Sequence, residues 1–190
     1  MASIKKKTVK QLFDVGNLFP LIDNIGVFIK SYSSSAAGEI KYRPERNITS
    51  IKDILNDTIA TGIIIARREF HAPDDEDSKI KYLEISRGIR QFTHFVFEGS
   101  FRIDHAQVAS AKAAYLSAVI LTGYEGKLQL FDGEIRMQEY LITHSEYNFL
   151  NKRLKFVANG EALFYWHQTL KLLYPDQTWL FKTSEVVIKA

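Results

Sequence analysis

One stretch limits what this chain can become more than any other: residues 101–137, FRIDHAQVASAKAAYLSAVILTGYEGKLQLFDGEIRM. Asp104 stands where a helix N-cap is expected, Gln107 follows three residues on, and Gly123 supplies a left-handed stop. The spacing predicts a helix over 105–122, roughly 27 Å long. Its apolar run, residues 113–121 broken only by Ser117, is about half of what a bilayer span needs. His105 and Lys112 interrupt the approach to it, so a membrane helix is excluded. Wound at about 100° per residue, Gln107, Ser110 and Ser117 fall on one narrow stripe, and nearly every other position is alanine or a larger apolar side chain. Such a helix is covered on most sides, and its alanines let a neighbour approach closely. Lys112 is the misfit: it sits between Tyr115, Leu116 and Val119, at the centre of the apolar face. A buried lysine must snorkel to water, meet an anion or lose its proton.

Around this helix the sequence reads as α+β. Residues 39–43, 63–70, 79–86, 92–103, 127–143 and 178–190 alternate in polarity or carry β-branched runs, and are expected as strands. Asp132 and Gly133 form the expected hairpin turn within 127–143. Thr49 or Ser50 opens a helix over 49–62, Ser145 opens one toward Phe156, and 161–174 carries the stripe Leu163, Trp166, Leu170, Leu173. The expected fold is an antiparallel sheet packed against the buried central helix and further C-terminal helices.

Two parts are expected along the chain. Residues 1–38 hold a basic arm (Lys5, Lys6, Lys7), a short helix from Thr8 closed by Gly16, an apolar docking segment and a serine-rich tether at 33–38. Residues 39–190 form a single α+β domain.

Composition then removes whole classes of chemistry. There is no cysteine, so disulfides, thiolate metal sites and cysteine nucleophiles are excluded. The five histidines have no metal-ligand spacing, and Asp74, Asp75, Glu76 and Asp77 lack the glycine and distal glutamate of an EF-hand loop. No phosphate-binding glycine loop and no nucleophile elbow is present. No cofactor is expected. Glu39 with Lys41, and Glu125 with Lys127, each match half of a metal-dependent nuclease core. Without a second acid in register they support an enzyme only as the weakest alternative. His94, Glu98 and Arg102 share one face of an expected strand and read as a solvated sheet surface.

Binding is better supported than catalysis. Arg67, Arg68, Lys79, Lys81, Arg87, Arg90 and Arg102 are interleaved with Phe70, Tyr82 and Phe92, and Lys152, Arg153 and Lys155 form a second basic group. Cations beside aromatics suit nucleic acid or another anion, with Lys112 as a further anion-facing candidate. The net charge of +3 weakens this, because acids nearly balance bases. Leu12, Phe13, Leu18, Phe19 and Phe28 are more apolar than a free tail tolerates, and are expected to dock onto a second copy or another protein. The outline of lysine arm, serine tether, many aromatics and no enzyme motif resembles viral or phage structural and accessory proteins. It resembles in particular rhabdovirus matrix proteins, where a basic arm precedes a compact α+β core. The resemblance implies a self-associating, non-enzymatic assembly protein of the host cytoplasm or virion. Nucleic acid or an anionic membrane surface is the alternative partner.

Overall fold

A computed structural model describes residues 2–42, 49–72, 74–96, 100–134, 138–143, 146–154 and 160–176. Among these residues the fold is all-α, with seven helices: α1 Ala2–Leu18, α2 Ile25–Tyr42, α3 Ile51–Arg67, α4 Glu76–Phe92, α5 Ile103–Thr122, α6 Phe149–Leu154 and α7 Glu161–Leu173. The expected α+β fold, an antiparallel sheet packed against a buried central helix, is therefore wrong. α5 is indeed central, but α1, α3 and α7 surround it in place of a sheet. α4 lies across α1, α2 touches α3, and α6 packs on α3 and α7. No helix among the described residues is long and apolar enough to cross a membrane.

Each failed strand has a physical reason. Ile63, Ile64 and Ile65 favour an extended chain locally, yet on α3 they point in three directions. Ile65 enters a cluster with Val9, Ile89, Phe101 and Ala106, while Ile63 packs on the larger core around α5. Tertiary packing thus overrides the β preference. The helix is also firmly started. Ser50 Oγ accepts from the Asp53 N–H at 3.2 Å, and the Asp53 carboxylate accepts from the Ser50 N–H at 2.9 Å. For 79–86 the alternation is accidental. Once the window reaches Phe92, Ile85, Ile89 and Phe92 fall on one helical face and pack against the second cluster. The acidic residues before it are the N-terminus of α4: Asp75 accepts from the Ser78 N–H, and Glu76 and Asp77 occupy the first turn, where carboxylates suit the helix dipole. The strand expected over 92–103 is instead the end of α4, a 3-10 turn at Thr93–Phe95 and the start of α5, with 97–99 outside the described residues. Glu39 to Tyr42 and the serine-rich residues 33–38 all lie in α2. Lys5, Lys6 and Lys7 lie in α1, and Thr8 does not begin a helix.

The hairpin expected over 127–143 is absent among its described residues. Asp132 and Gly133 do turn the chain, with Gly133 at φ 87° and Asp132 Oδ1 accepting from the Glu134 N–H. The flanks, however, pair with side chains instead of with each other. The hydroxyls of Tyr115 (α5) and Tyr165 (α7) accept from the N–H groups of Gln129 and Phe131 at 3.1 and 3.2 Å. The Asn151 amide on α6 accepts from the Ile142 N–H and donates to its C=O. Helices thus supply partners that a sheet would have supplied. The expected strand at 178–190, and both Ser145 and Phe156 of the expected helix, lie outside the described residues.

Two glycines set how closely the helices meet. Gly16 does not end α1; a Cβ there would stand 3.0 Å from that of Ala109 on α5. On α3, a Cβ at Gly62 would lie 3.1 Å from the Trp166 ring and 3.4 Å from the Ser110 carbonyl oxygen. Gly123 does cap α5, at φ 65°. Asp104 is not its N-cap: the helix begins at Ile103, and His105 Nδ1 accepts from the Arg102 N–H.

Candidate functional site

Because α1 and α3 both rest on α5 without closing on each other, a groove of about 1090 Å³ opens between them, with α2 across one end. α1 contributes Leu12, Val15 and Leu18, α2 contributes Phe28 and Tyr32, and α3 contributes Ile54 and Thr58. The floor is Ala113, Leu116, Ser117 and Ile120 of α5. Two hydroxyls of this wall are already used: Thr58 donates to the Ile54 carbonyl at 2.8 Å, and Ser117 donates to that of Ala113 at 2.9 Å. The groove therefore behaves as an apolar surface. Burial raises the Tyr32 hydroxyl above its ordinary range, as expected of a phenol in such a wall. Carboxylates edge it. Asp14 pairs with Lys10 at 2.7 Å, Asp57 pairs with Lys81 at 2.9 Å, and Asp53 is held low by Ser50 and Thr49.

Large apolar side chains stand exposed beside this groove. Leu18 is 58% exposed, Leu21 70% and Val27 60%, all at the corner where α1 passes through the turn Phe19–Leu21 into α2. Of the other residues expected at an interface, Leu12 and Phe13 pack in the second cluster. Phe13 lies edge-on to Phe101 at 5.5 Å. Phe19 is fully buried, and Phe28 leans on the main core. The N-terminal apolar segment thus docks first on its own chain.

The expected basic surface is dispersed. Arg68 pairs with Asp104 and donates to Gln107 Oε1 at 2.9 Å, so it ties the end of α3 to α5. Lys79 pairs with Glu76 and Lys81 with Asp57. Arg87, Arg90 and Arg102 are exposed. Lys112 points inward. Only 8% exposed, it reaches Glu161 at 2.8 Å and the Gly16 carbonyl at 3.4 Å, with its Nζ 5.6 Å from the Tyr165 ring centre. Gly16 lies in the last turn of α1, where carbonyls lack helical partners, and Glu161 opens α7, where a carboxylate suits the dipole. The anion that Lys112 needs is supplied by its own chain.

Arg67 and Arg153 come together instead. The Arg67 guanidinium lies 4.4 Å from the Phe149 ring centre, and that of Arg153 lies 3.3 Å from the Phe70 ring centre. One arginine from each basic group of the sequence therefore sits where α6 packs on the end of α3, and Lys155 of the second group lies outside the described residues. Sequence reasoning missed Phe149 and Glu161, since no local pattern marks them. It also missed Val15 and Tyr32, which the helical spacing of α1 and α2 would have exposed. No group of three acids or histidines able to hold a metal ion occurs among the described residues. The chain matches no protein-family model, no curated protein and no solved structure. The resemblance to matrix proteins rested on an α+β core and falls with it.

Proposed function

We propose that this chain is a non-enzymatic assembly protein that pairs with a second copy of itself through the α1–α2 corner. The observation that carries this reading is the placement of Leu18, Leu21 and Val27, exposed beside an apolar groove of about 1090 Å³. A patch and a groove that adjoin on one protomer are self-complementary under a two-fold axis: each corner covers the other's groove. Exposed aliphatic side chains next to an apolar cleft mark a contact surface more often than a solvated one. Light scattering tests the reading. The full chain is expected at twice its 21.8 kDa mass. The L21E/V27E double variant is expected at the single mass with unchanged helicity. A wild-type chain that stays at the single mass at high micromolar concentration overturns the proposal.

A further inference from the structure

The contact between α3 and α6 is built in an unusual way. Two arginines and two phenylalanines pair reciprocally: Arg67 lies over Phe149, and Arg153 over Phe70. Phe149 and Arg153 are one turn apart on α6, about 6 Å along its axis, so the two stacked pairs are neighbours. Stacking fixes each guanidinium by its face and leaves its edge, with up to five N–H donors, unspent. Neither arginine has a carboxylate partner among the described residues. The Arg67 Nε–H is buried without a hydrogen-bond partner among the described residues. His71, which follows α3, packs against Tyr82 at 5.7 Å and sits within reach of the Arg67 charge.

The acids nearby are engaged elsewhere. Asp75 accepts from the Ser78 N–H at the start of α4, Glu69 faces the Tyr82 hydroxyl at 3.5 Å, and Asp104 is taken by Arg68. Two stacked guanidiniums and the buried Arg67 Nε–H therefore lie at one helix contact. Asp75 is the acid whose charge reaches Arg67 and His71, and its carboxylate is already held by the Ser78 N–H. An isolated pair of arginines would be solvated and mobile. Here the rings have already removed that freedom, so an anion would meet preorganised forks.

We propose that Arg67 and Arg153, with His71 beside them, form a binding site for a phosphate-type oxyanion. The site is independent of the groove and of self-association. Its compactness favours one phosphate group over a polymer track, since two guanidiniums held at a single helix contact make a short cradle.

The test titrates the full chain with inorganic phosphate at low ionic strength, followed by calorimetry and by backbone amide shifts. Saturable binding is expected. R67Q and R153Q each weaken it at least tenfold, R153K weakens it several-fold, and R87Q leaves it unchanged. R153K keeps the charge and serves as the folded reference should R67Q lose helicity. A second arm uses a short single-stranded oligonucleotide. An oligonucleotide that competes with phosphate for the same arginines identifies the source as a nucleic-acid backbone. One that does not bind identifies a small phosphorylated ligand. Absence of saturable phosphate binding overturns the proposal. So does phosphate or oligonucleotide binding that R67Q and R153Q leave intact.

Discussion

α5 has two flanks that share one helix and differ in everything packed on them. Toward α7 it meets Tyr165, Trp166 and Leu170, and with Tyr115 these close into a solid core in which Ala111 and Ala114 have no exposure. Toward the gap between α1 and α3 it presents Ala113, Ser117 and Ile120 to side chains too short to meet across them. The same small residues thus allow intimate packing on one flank and leave a groove on the other. What decides is the size of the opposing side chain. An alanine-rich helix specifies close approach, and its neighbours specify whether the space is filled.

The largest test of this contrast is Trp166→Ala. The ring is fully buried and touches Gly62 across the α3 crossing. Its removal is expected to cost about 3–5 kcal/mol, because the transfer term and the cavity add. Denaturant unfolding measures it; a loss below about 1 kcal/mol would show that the flank is not solidly packed.

Glu161→Gln comes next. It leaves Lys112 buried beside a neutral amide and is expected to cost about 3 kcal/mol, at the low end for breaking a buried pair, since both side chains keep slight exposure. Adding Lys112→Met should recover most of that loss, because the charge left behind dominates the penalty. A double variant no more stable than the single one would mean that the lysine is not confined by this core.

What the sequence made legible follows the same line. α5 and α7 could be read because each has a long, consistent period: Leu163, Trp166 and Leu170 are all buried, and Gly123 does stop α5. Short windows misled. Eight residues beginning at Lys79 alternate like a strand, and only Ile89 and Phe92 reveal the helical face. Residues 127–131 carry a strand-like pattern, but the phenols of two distant tyrosines take their amides. Lys112 could be singled out as a misfit; its partner could not, because Glu161 has no sequence relation to it. The groove was invisible for a related reason. A space is defined by what three helices fail to fill, and no single segment encodes that.

Acid should weaken the filled flank through His167, largely buried on α7 beside the Tyr140 ring at 6.0 Å. Burial, and then the Lys171 charge, push this imidazole down to about 4. The neutral ring is therefore the one that folding favours. Its contribution is fully present above the unfolded value near 6.5 and is lost as pH falls from there toward 4. The loss is expected to be about 2–3 kcal/mol by linkage. His167→Gln should flatten the stability profile across that window, as read from urea midpoints between pH 7 and 4. An unaltered slope would place the acid sensitivity elsewhere.

The finest test compares two alanines on the same helix. Ala111 belongs to the closed core, and Ala113 lines the groove. Enlarging a fully packed site forces neighbours off their rotamers, so Ala111→Leu is expected to destabilise by about 1–3 kcal/mol. Ala113→Leu adds the same atoms to a surface with room for them, and gains apolar contact with Val15 or Ile54 if these move slightly. Its expected change is within about 1 kcal/mol of zero. The groove variant should instead act on association. Leucine at 113 occupies floor that a second copy needs, so the mass measured by light scattering should fall toward that of one chain while the melting temperature stays within a few degrees. Two variants with equal stability costs would erase the distinction between the flanks. An intact dimer in Ala113→Leu would move the contact from the groove to the exposed corner formed by Leu18, Leu21 and Val27.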